Sequence, residues 1–540
     1  MRSPSFAALC AAVALTVTAC GAQEGGLGKD TPPSRFAVLA DAPIATSNAA
    51  TAWGDAVGAA QLASRVFPAL YVPGPAGQMV PNSDLADAEF FAAEGEDAGA
   101  HVDFTLTEQA RFADGEAVTC DDYLLAFTAG QLSEIFGSHL PLMEEVTEVE
   151  CAPHSKKFTV WFTPDAGSRW RYLFGPGSVV PAHVLAKRAD MNLEELNAAL
   201  HSQDVATLQP VAEAWRYGFS TEPGRFDPEL QVSFGPYQIE RVEDDGAIVL
   251  TANDNYYGDK PTLREFLMLP RSADAAAFVA SDELRVAEAA TASPSWFDRD
   301  AEGKPVEVTS SAGSLTDTLV FSEAGTFSQP WARAAFAACV DAQHLAQVSS
   351  KESGVDVPAV TVRTVRNDDP VAAQMSSLTT VPVDNADNAT ASGLSGYTIG
   401  VGYLGPNPRY KAMVEELRAA CEPAGIMVED RSGERVSRAQ LAADPATGLP
   451  EIDVYLGAVD PMREHSAPSS SVKHAAALRK LEQELWEELP SIPIAAQPRT
   501  FIVDRAVTGV VPYTGLAGIG WNLDRWSYNP TTATETKEES

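Results

Sequence analysis

Along most of the chain, stretches in which apolar residues have the spacing of a strand alternate with stretches in which they have the spacing of a helix. Alternation with a period of two predicts strands at 102–106 and 157–162. Short apolar runs predict further strands at 248–250, 266–269, 397–404, 426–429 and 452–456. Apolar spacing of three to four residues predicts helices at 121–132, 182–217, 331–346, 408–424 and 472–489. Strands and helices that alternate in this way predict an α/β fold.

The first twenty residues have the pattern of an export signal rather than of a folded domain. Arg2 precedes an apolar run from Phe6 to Val17, which is shorter than the roughly 20 residues that a membrane-spanning helix needs. The run ends in small residues directly before Cys20. We therefore predict a lipoprotein signal peptide at 1–19, lipidation of the Cys20 thiol and a flexible tether at 20–34. The alternative is an ordinary cleaved signal with an incidental cysteine.

Size and charge narrow the function further. About 520 residues remain after the predicted signal. Because this is more than a single hydrophobic core usually supports, at least two lobes are expected. The net charge of −36 argues against nucleic-acid binding, which needs a basic surface. No later stretch is apolar enough to predict a transmembrane helix. The protein is expected outside the cell membrane, held to its outer face by the lipid.

Four cysteines remain once Cys10 and Cys20 are set aside, namely Cys120, Cys151, Cys339 and Cys421. An even number in an oxidising compartment predicts structural disulfides, and four cysteines allow three pairings. The pairing of Cys120 with Cys151 and of Cys339 with Cys421 keeps each bridge within one half of the chain, which would leave motion between the halves free.

Motifs for catalysis or cofactor binding have little support. Residues 400–405 match G-x-G-x-x-G, but Pro406 and Pro408 delay the helix that should receive the phosphates. Residues 298–309 begin like a calcium loop, yet Thr309 stands where a glutamate is needed. The sequence has no H-E-x-x-H, C-x-x-C, G-x-S-x-G or phosphate-loop motif. No catalytic residue, metal site or cofactor is predicted.

Four stretches, in order, resemble the extracellular solute-binding proteins of family 5, the oligopeptide, dipeptide and nickel type. They are F-x-D-G followed by T-x-x-D at 112–122, G-P-Y with N-x-x-Y-Y-x-D-K-P at 235–261, R-x-A followed by Asp341 at 333–341, and a helix with P-x-x-P at 481–494. Tyr257 stands where the family usually has tryptophan. Asp114-Gly115 and Gly235-Pro236 are turn residues, so these motifs mark the fold and not a reaction.

The resemblance implies a two-lobed periplasmic-binding-protein fold of type II, with an extra subdomain in the first lobe and two chain crossings at a hinge. The strand at 266–269 is expected to cross into the second lobe. The expected bounds are 35–267 for the first lobe, 268–496 for the second, 497–528 for the return to the first and 529–540 for a disordered tail.

The resemblance also implies a ligand site between the lobes. In this family one aspartate pairs with the α-ammonium of a peptide, and the matching segment here, 453–461, makes Asp460 the candidate. The alternative is that Asp460 only begins a turn before Pro461. Tyr403, Tyr455, Tyr513 and Trp521 are further candidates to line the cleft, although aromatic residues more often pack in a core.

Two functions follow from the resemblance. The first is a monomeric receptor that captures peptides or similar small solutes for the permease subunits of an ABC importer. The second comes from residues 119–122, the Cys120/Cys151 pair and residues 177–185, which resemble an actinobacterial branch. Some members of that branch are tied to phosphatidylinositol-mannoside and lipoarabinomannan assembly. An extracellular hydrolase is a third possibility, which no nucleophile or metal motif favours.

Overall fold

The computed structural model describes residues 35–74, 77–95, 98–298, 306–375 and 388–529. The predicted signal peptide, Cys20, the tether and residues 530–540 of the predicted tail lie outside the described residues, as does most of the segment at 298–309. Within the described residues no helix combines the length and the apolar character needed to cross a membrane.

A ten-stranded mixed sheet forms the framework of the described chain, in the order β14-β13-β15-β12-β16-β11-β1-β10-β9-β8. Its strands are β1 (Ala37–Leu39), β8 (Tyr237–Val242), β9 (Ile248–Ala252), β10 (Glu265–Leu269), β11 (Leu284–Ala289), β12 (Val306–Phe321), β13 (Thr398–Gly402), β14 (Met427–Asp430), β15 (Val454–Val459) and β16 (Ser491–Asp504).

A separate four-stranded antiparallel sheet has the order β4-β5-β7-β6, and two strand pairs, β2-β3 and β17-β18, complete the β-structure of the described residues. These strands are β2 (Tyr71–Pro73), β3 (Met79–Pro81), β4 (Ala86–Phe91), β5 (His101–Leu106), β6 (Val146–Glu150), β7 (Lys157–Phe162), β17 (Val507–Thr508) and β18 (Ser527–Tyr528).

The described residues also form helices between these strands. They are α1 (Ala52–Ala56), α2 (Ala59–Val66), α3 (Cys120–Gln131), α4 (Ser133–Phe136), α5 (Ala182–Arg188), α6 (Leu193–Ser202), α7 (Val205–Tyr217), α8 (Ala275–Ala280), α9 (Pro330–Ala337), α10 (Ala342–Ser353), α11 (Ala372–Met375), α12 (Asn388–Ala391), α13 (Pro408–Cys421), α14 (Pro461–Glu464) and α15 (Ala475–Glu488). Short 3-10 turns join several of them.

Two large hydrophobic cores lie on different parts of the ten-stranded sheet. The first core takes its buried residues from 36–286 and 501–526, and the four-stranded sheet packs into it. The second core takes its residues from 319–496. We call the parts of the chain around these cores the first lobe and the second lobe. The chain thus returns to the first lobe near its end, and the predicted α/β, two-lobed fold is confirmed.

Strands β12 and β16 connect the two lobes. Leu319 of β12 packs in the second core, while Val308 of the same strand packs beside β1 and β10. On β16, Ile494 lies in the second core and Phe501 in the first. The two strands pair along most of their length, with a shift of register between Ala312 and Thr316.

The strand at 266–269 has a different place from the one expected. Strand β10 pairs with β1 and β9, and both Phe266 and Met268 pack in the first core. Val286 of β11, which the predicted bounds assign to the second lobe, packs there too. The chain passes into the second lobe along β12, because that strand pairs with β16 and then with β15.

The predicted helix at 331–346 is two helices, α9 and α10. Asp341 interrupts it, because its side chain accepts a hydrogen bond from the backbone N–H of His344 at 2.9 Å and so caps a new helix. The helix entered through Thr119 is confirmed: Thr119 caps α3 and Asp122 closes a reciprocal capping box.

Two disulfides join the four cysteines in the pairing favoured above. Cys120 is bonded to Cys151 with Cα atoms 5.6 Å apart, inside the first lobe. Cys339 is bonded to Cys421 with Cα atoms 5.0 Å apart, inside the second lobe. Neither bridge joins one core to the other.

Candidate functional site

A cleft opens where the two lobes meet. Its larger part, the wide cavity, has a volume of about 1120 Å³. Its smaller part, the narrow pocket, encloses about 50 Å³. The two parts share lining residues from both lobes, so they form one cleft. The shared residues are Pro73, Met79, Arg171, Tyr172, Arg366, Tyr513 and Trp521.

Local structure positions the polar side chains of this cleft. Arg171 and Tyr172 lie in a 3-10 turn, Trp170–Tyr172, that follows the four-stranded sheet. Asp460 lies directly after β15, at the N-terminus of α14. Tyr513 lies in the irregular return segment between β17 and the 3-10 turn Ile519–Arg525. The cleft is therefore built from chain ends and turns, which a rigid sheet holds in place.

Asp460 forms a buried ion pair with Arg366. Its Oδ1 accepts a hydrogen bond from Nε of Arg366 at 3.0 Å, and its Oδ2 accepts one from Nη2 at 2.7 Å. The backbone N–H of Met462 also donates to Oδ1, at 3.1 Å, so Asp460 caps α14. The side chains of Asp460 and Arg366 are only 4% and 8% exposed. This is a bidentate, charge-assisted pair of the strong kind.

The electrostatics of Asp460 follow from this pair. Burial alone would raise the pKa of its carboxyl group, but the charge and hydrogen bonds of Arg366 outweigh burial and place the pKa below its ordinary value. The carboxylate is therefore ionised and already neutralised by a protein cation. The role of Asp460 towards a ligand ammonium stays a prediction. Its hydrogen bond with the backbone of Met462 is the one expected of a residue that begins a turn before Pro461.

Tyr513 and Trp521, two of the predicted cleft residues, line both parts of the cleft. Their rings meet edge to face with centroids 6.4 Å apart. Trp521 donates its indole N–H to the carbonyl oxygen of Val511 at 2.9 Å, which fixes the ring. Tyr71 and Tyr172 also line the narrow pocket, and sequence reasoning missed both, because no motif distinguishes them from core aromatics.

Tyr403 and Tyr455 lie away from the described cleft. Tyr403 packs in the second core, edge to face with Tyr410, and its hydroxyl donates to Asp430 at 3.0 Å. Tyr455 is buried in β15, where it pairs with Gly402 of β13. Neither is among the residues that line the narrow pocket or the wide cavity, and their ligand role stays a prediction.

Arginines are the main charged groups of the cleft, and sequence reasoning missed all of them. In the narrow pocket Arg65 pairs with Asp524, and Arg366 pairs with Asp460. Arg171 and Arg463 line the same pocket and, among the described residues, have no carboxylate in salt-bridge distance. No local spacing marks these arginines, since they lie far apart in sequence and only the fold brings them together.

Direct hydrogen bonds join the lobes at the edge of the cleft. Arg169 of the first lobe is only 2% exposed. It donates through Nη1 to the carbonyl oxygen of Pro461 at 2.7 Å and through Nη2 to that of Thr364. His139 of the first lobe approaches Glu464 of the second at 3.3 Å. The lobes are therefore in contact in this structure.

The described residues do not have the geometry of a metal site or of a nucleotide site. The described group with metal-ligand spacing is Cys120, Asp121 and Cys151, but both sulfurs are consumed by the disulfide. In the glycine motif Gly400 and Gly402 lie within β13, and α13 begins only at Pro408, capped by Asn407. Its N-terminus thus lies outside the motif. The absence of a metal or cofactor stays a prediction.

Comparison with known proteins places this chain in a family. Residues 81–429 match the bacterial extracellular solute-binding proteins, family 5, middle. An uncharacterized lipoprotein of Mycobacterium tuberculosis is 27% identical over 558 residues, covering 95% of each chain.

Two solved structures share the fold. The oligopeptide-binding protein of Thermus thermophilus, complexed with a pentapeptide, has a TM-score of 0.64 at 13% identity and covers 92% of this chain and 97% of its own. The binding protein AgaA of A. tumefaciens R10, in complex with agropinic acid, has a TM-score of 0.62 at 16% identity and covers 92% and 98%. The family match spans well over half of the sequence, and the chain belongs to the bacterial extracellular solute-binding proteins of family 5.

Proposed function

We propose that this protein is a lipid-anchored receptor on the outer face of the cell membrane, which captures a small solute in its cleft and delivers it to the permease of an ABC importer. Peptides are the first class of solute to test. The observation that carries the proposal is the wide cavity of about 1120 Å³, lined from both lobes, since ligand sites of binding proteins lie between lobes that close.

The relatives support the anchor and the type of ligand. The mycobacterial proteins of similar length are named lipoproteins, in agreement with the predicted lipidation of Cys20. The solved relatives hold a pentapeptide in one case and agropinic acid in another. A cavity of this size accommodates such ligands, because small-molecule pockets usually measure about 300–1,000 Å³. We propose no catalytic role.

The test is a thermal-shift screen of the full chain, extracted in detergent with its anchor, against defined pools of pentapeptides. A ligand at about 1,000 times its Kd should stabilise the protein by about 4 kcal/mol, and native mass spectrometry should then identify the bound peptide. Peptide adducts with a rise in Tm are the expected result.

Phosphatidylinositol mannoside, presented in detergent micelles, forms the second arm of the screen. If it binds while every peptide pool leaves the Tm unchanged, the protein belongs to glycolipid assembly instead, the second function that the sequence predicts. If neither arm shifts the Tm, the proposal that the cleft captures a solute is wrong.

A further inference from the structure

The narrow pocket has an excess of positive charge. Four arginines line it, against a single carboxylate, that of Asp460. Arg65 is neutralised by Asp524, which is not among the lining residues, and Arg366 is neutralised by Asp460. This leaves two lining cations that no carboxylate of the described residues meets in salt-bridge distance. The excess is local, because the whole chain carries a net charge of −36.

The two remaining cations come from different lobes. Arg171 follows the four-stranded sheet of the first lobe, where its guanidinium lies 4.3 Å from the ring centroid of Trp170. Arg463 lies on α14 of the second lobe. Its guanidinium covers Gly175 of the first lobe so closely that a Cβ atom there would lie 3.3 Å from its central carbon. Gly175 thus leaves the room that Arg463 needs.

An ammonium group would be a poor occupant of this pocket. Both oxygens of Asp460 already accept hydrogen bonds from Arg366, so an incoming ammonium would have to share a carboxylate that a buried guanidinium already neutralises. The same cation would face Arg171 and Arg463. An anionic group meets the opposite situation, because arginine presents donors in a fork that fits carboxylate and phosphate.

We propose that the narrow pocket binds an anionic group of the ligand, a carboxylate or a phosphate, between Arg171 and Arg463. This inference rests on the proposed function and names the chemical class of its ligand. The remainder of the ligand extends into the wide cavity past Tyr172, Tyr513 and Trp521, which line both parts of the cleft.

The placement of the two arginines links ligand charge to closure. Each lobe brings one cation to the pocket, so closure places both cations at one site. A bound anion interacts with both arginines only in the closed form, and a ligand shifts an equilibrium by its differential affinity for the two states. The pocket therefore favours closure around an anion over closure around a neutral or cationic analogue.

The test compares probes that differ in one charge on the full chain in detergent. The probes are pentaalanine, pentaalanine amide, N-acetyl-pentaalanine and inositol 1-phosphate, each titrated by isothermal calorimetry. We expect the probes with a free carboxylate or phosphate to bind at least about 10-fold more tightly than the amide, since hydrogen bonds between charged groups are the strong ones. N-acetylation, which removes only the ammonium, should leave N-acetyl-pentaalanine still more tightly bound than pentaalanine amide.

Variants assign the preference to the pocket. Arg171→Gln and Arg463→Gln should each weaken binding of the anionic probe by about 10- to 100-fold, and Arg463→Lys should retain part of it. Arg505→Gln removes an equal charge from an exposed position away from the cleft and should have no effect. Arg171 is exposed and Arg463 half-buried, so an unchanged unfolding midpoint of the unliganded variants will show that the fold is intact.

The outcomes separate the two proposals. Equal affinity for pentaalanine and its amide, or unchanged affinity in both glutamine variants, would overturn the anionic pocket and leave solute capture standing. Tight binding of inositol 1-phosphate with none of the peptides would support the anionic pocket and identify phosphate as its source. Failure of every probe to bind the unmodified protein would contradict the anionic pocket, and solute capture would then stand or fall with the broader screen.

Discussion

Asp460 is held by a protein cation rather than left open to the cleft. Breaking a buried ion pair by removing one partner leaves an uncompensated charge and typically costs about 3–5 kcal/mol. We therefore expect Asp460→Asn to lower the free energy of unfolding by an amount in this range, measured by urea denaturation. Asp460→Leu combined with Arg366→Met should recover part of the loss, because it removes both charges together.

An exposed pair provides the matched control for Asp460. Asp254 meets Arg264, but its side chain is 85% exposed, and exposed pairs contribute little to stability. Asp254→Asn should leave the urea midpoint within experimental error. Equal effects of the two substitutions would show that the pair at Asp460 is no stronger than a surface contact.

His465 makes the stability of the fold depend on pH. Burial lowers its pKa to about 4; the charges of Arg363, Arg169 and Arg438 act in the same direction, and Glu464 opposes them. A folded-state pKa below the ordinary value of about 6.5 means that the unfolded chain takes up a proton first as the pH falls. Stability is then lost between about pH 6.5 and pH 4. Because the residue is partly exposed, we expect a loss of about 1–2 kcal/mol.

Unfolding curves at several pH values check this prediction. His465→Asn should flatten the loss of stability between pH 6.5 and pH 4, whereas His344→Asn, at an exposed histidine in α10, should not. An unchanged pH dependence in His465→Asn would mean that other groups account for the acid sensitivity.

At the scale of elements, the two disulfides close loops of different length. The bridge between Cys120 and Cys151 spans 31 residues and that between Cys339 and Cys421 spans 82. Cross-linking reduces the entropy of the unfolded chain more for a longer loop. For these two loop lengths, the longer bridge should therefore contribute about 1 kcal/mol more to the free energy of unfolding. We expect the double alanine variant of the longer bridge to lower the free energy of unfolding of the second lobe by about 4–5 kcal/mol, and that of the shorter bridge to cost the first lobe about 3–4 kcal/mol.

Differential scanning calorimetry with separate assignment of the two lobes tests this. Since neither bridge joins the two cores, removal of one should leave binding of a cleft ligand measurable at temperatures where both lobes are folded. Loss of binding at such temperatures in either variant would show that a bridge also fixes the cleft.

Strands and helices whose apolar residues recur at a regular spacing could be predicted from the sequence. Those whose conformation depends on pairing with distant strands could not. Strand β7, Lys157–Phe162, alternates apolar and polar residues and was predicted to the residue. Strand β12, Val306–Phe321, was missed because its middle reads Thr309-Ser-Ser-Ala-Gly-Ser314, which lacks large apolar residues. Its strand conformation comes from pairing with β16 and β15 on either side, which is tertiary information.

The same distinction applies to the cleft. The family resemblance directed attention to Asp460, Tyr513 and Trp521, and all three line the narrow pocket. The partner of Asp460, Arg366, lies 94 residues earlier in an irregular segment. Arg171 and Arg463 are likewise remote from each other in sequence. The charge of a site between lobes is a sum over distant segments, so motifs that are local in sequence do not reveal it.

At the scale of the whole molecule, Arg169 is one of the residues that join the lobes. Its guanidinium is buried, which lowers its pKa to about 10, and its partners Pro461 and Thr364 belong to the other lobe. Opening the cleft would break these hydrogen bonds and return the charge to water. Closure therefore depends on a balance to which the hydrogen bonds of Arg169 contribute. The pairs of Arg435 with Glu222 at 2.6 Å and of Arg438 with Asp55 at 3.8 Å also join the lobes.

Arg169→Met should shift this balance towards the open form. A hydrogen bond from a charged donor contributes about 1.5–3 kcal/mol, so the ratio of closed to open protein should fall by about 10-fold or more. Distances between spin labels on the two lobes, measured by pulsed electron paramagnetic resonance without ligand, should lengthen in Arg169→Met. They should stay unchanged in Arg188→Met, whose side chain is exposed and pairs with Asp227 within the first lobe. Identical distance distributions in all three proteins would show that packing of the lobes, and not Arg169, sets the degree of closure.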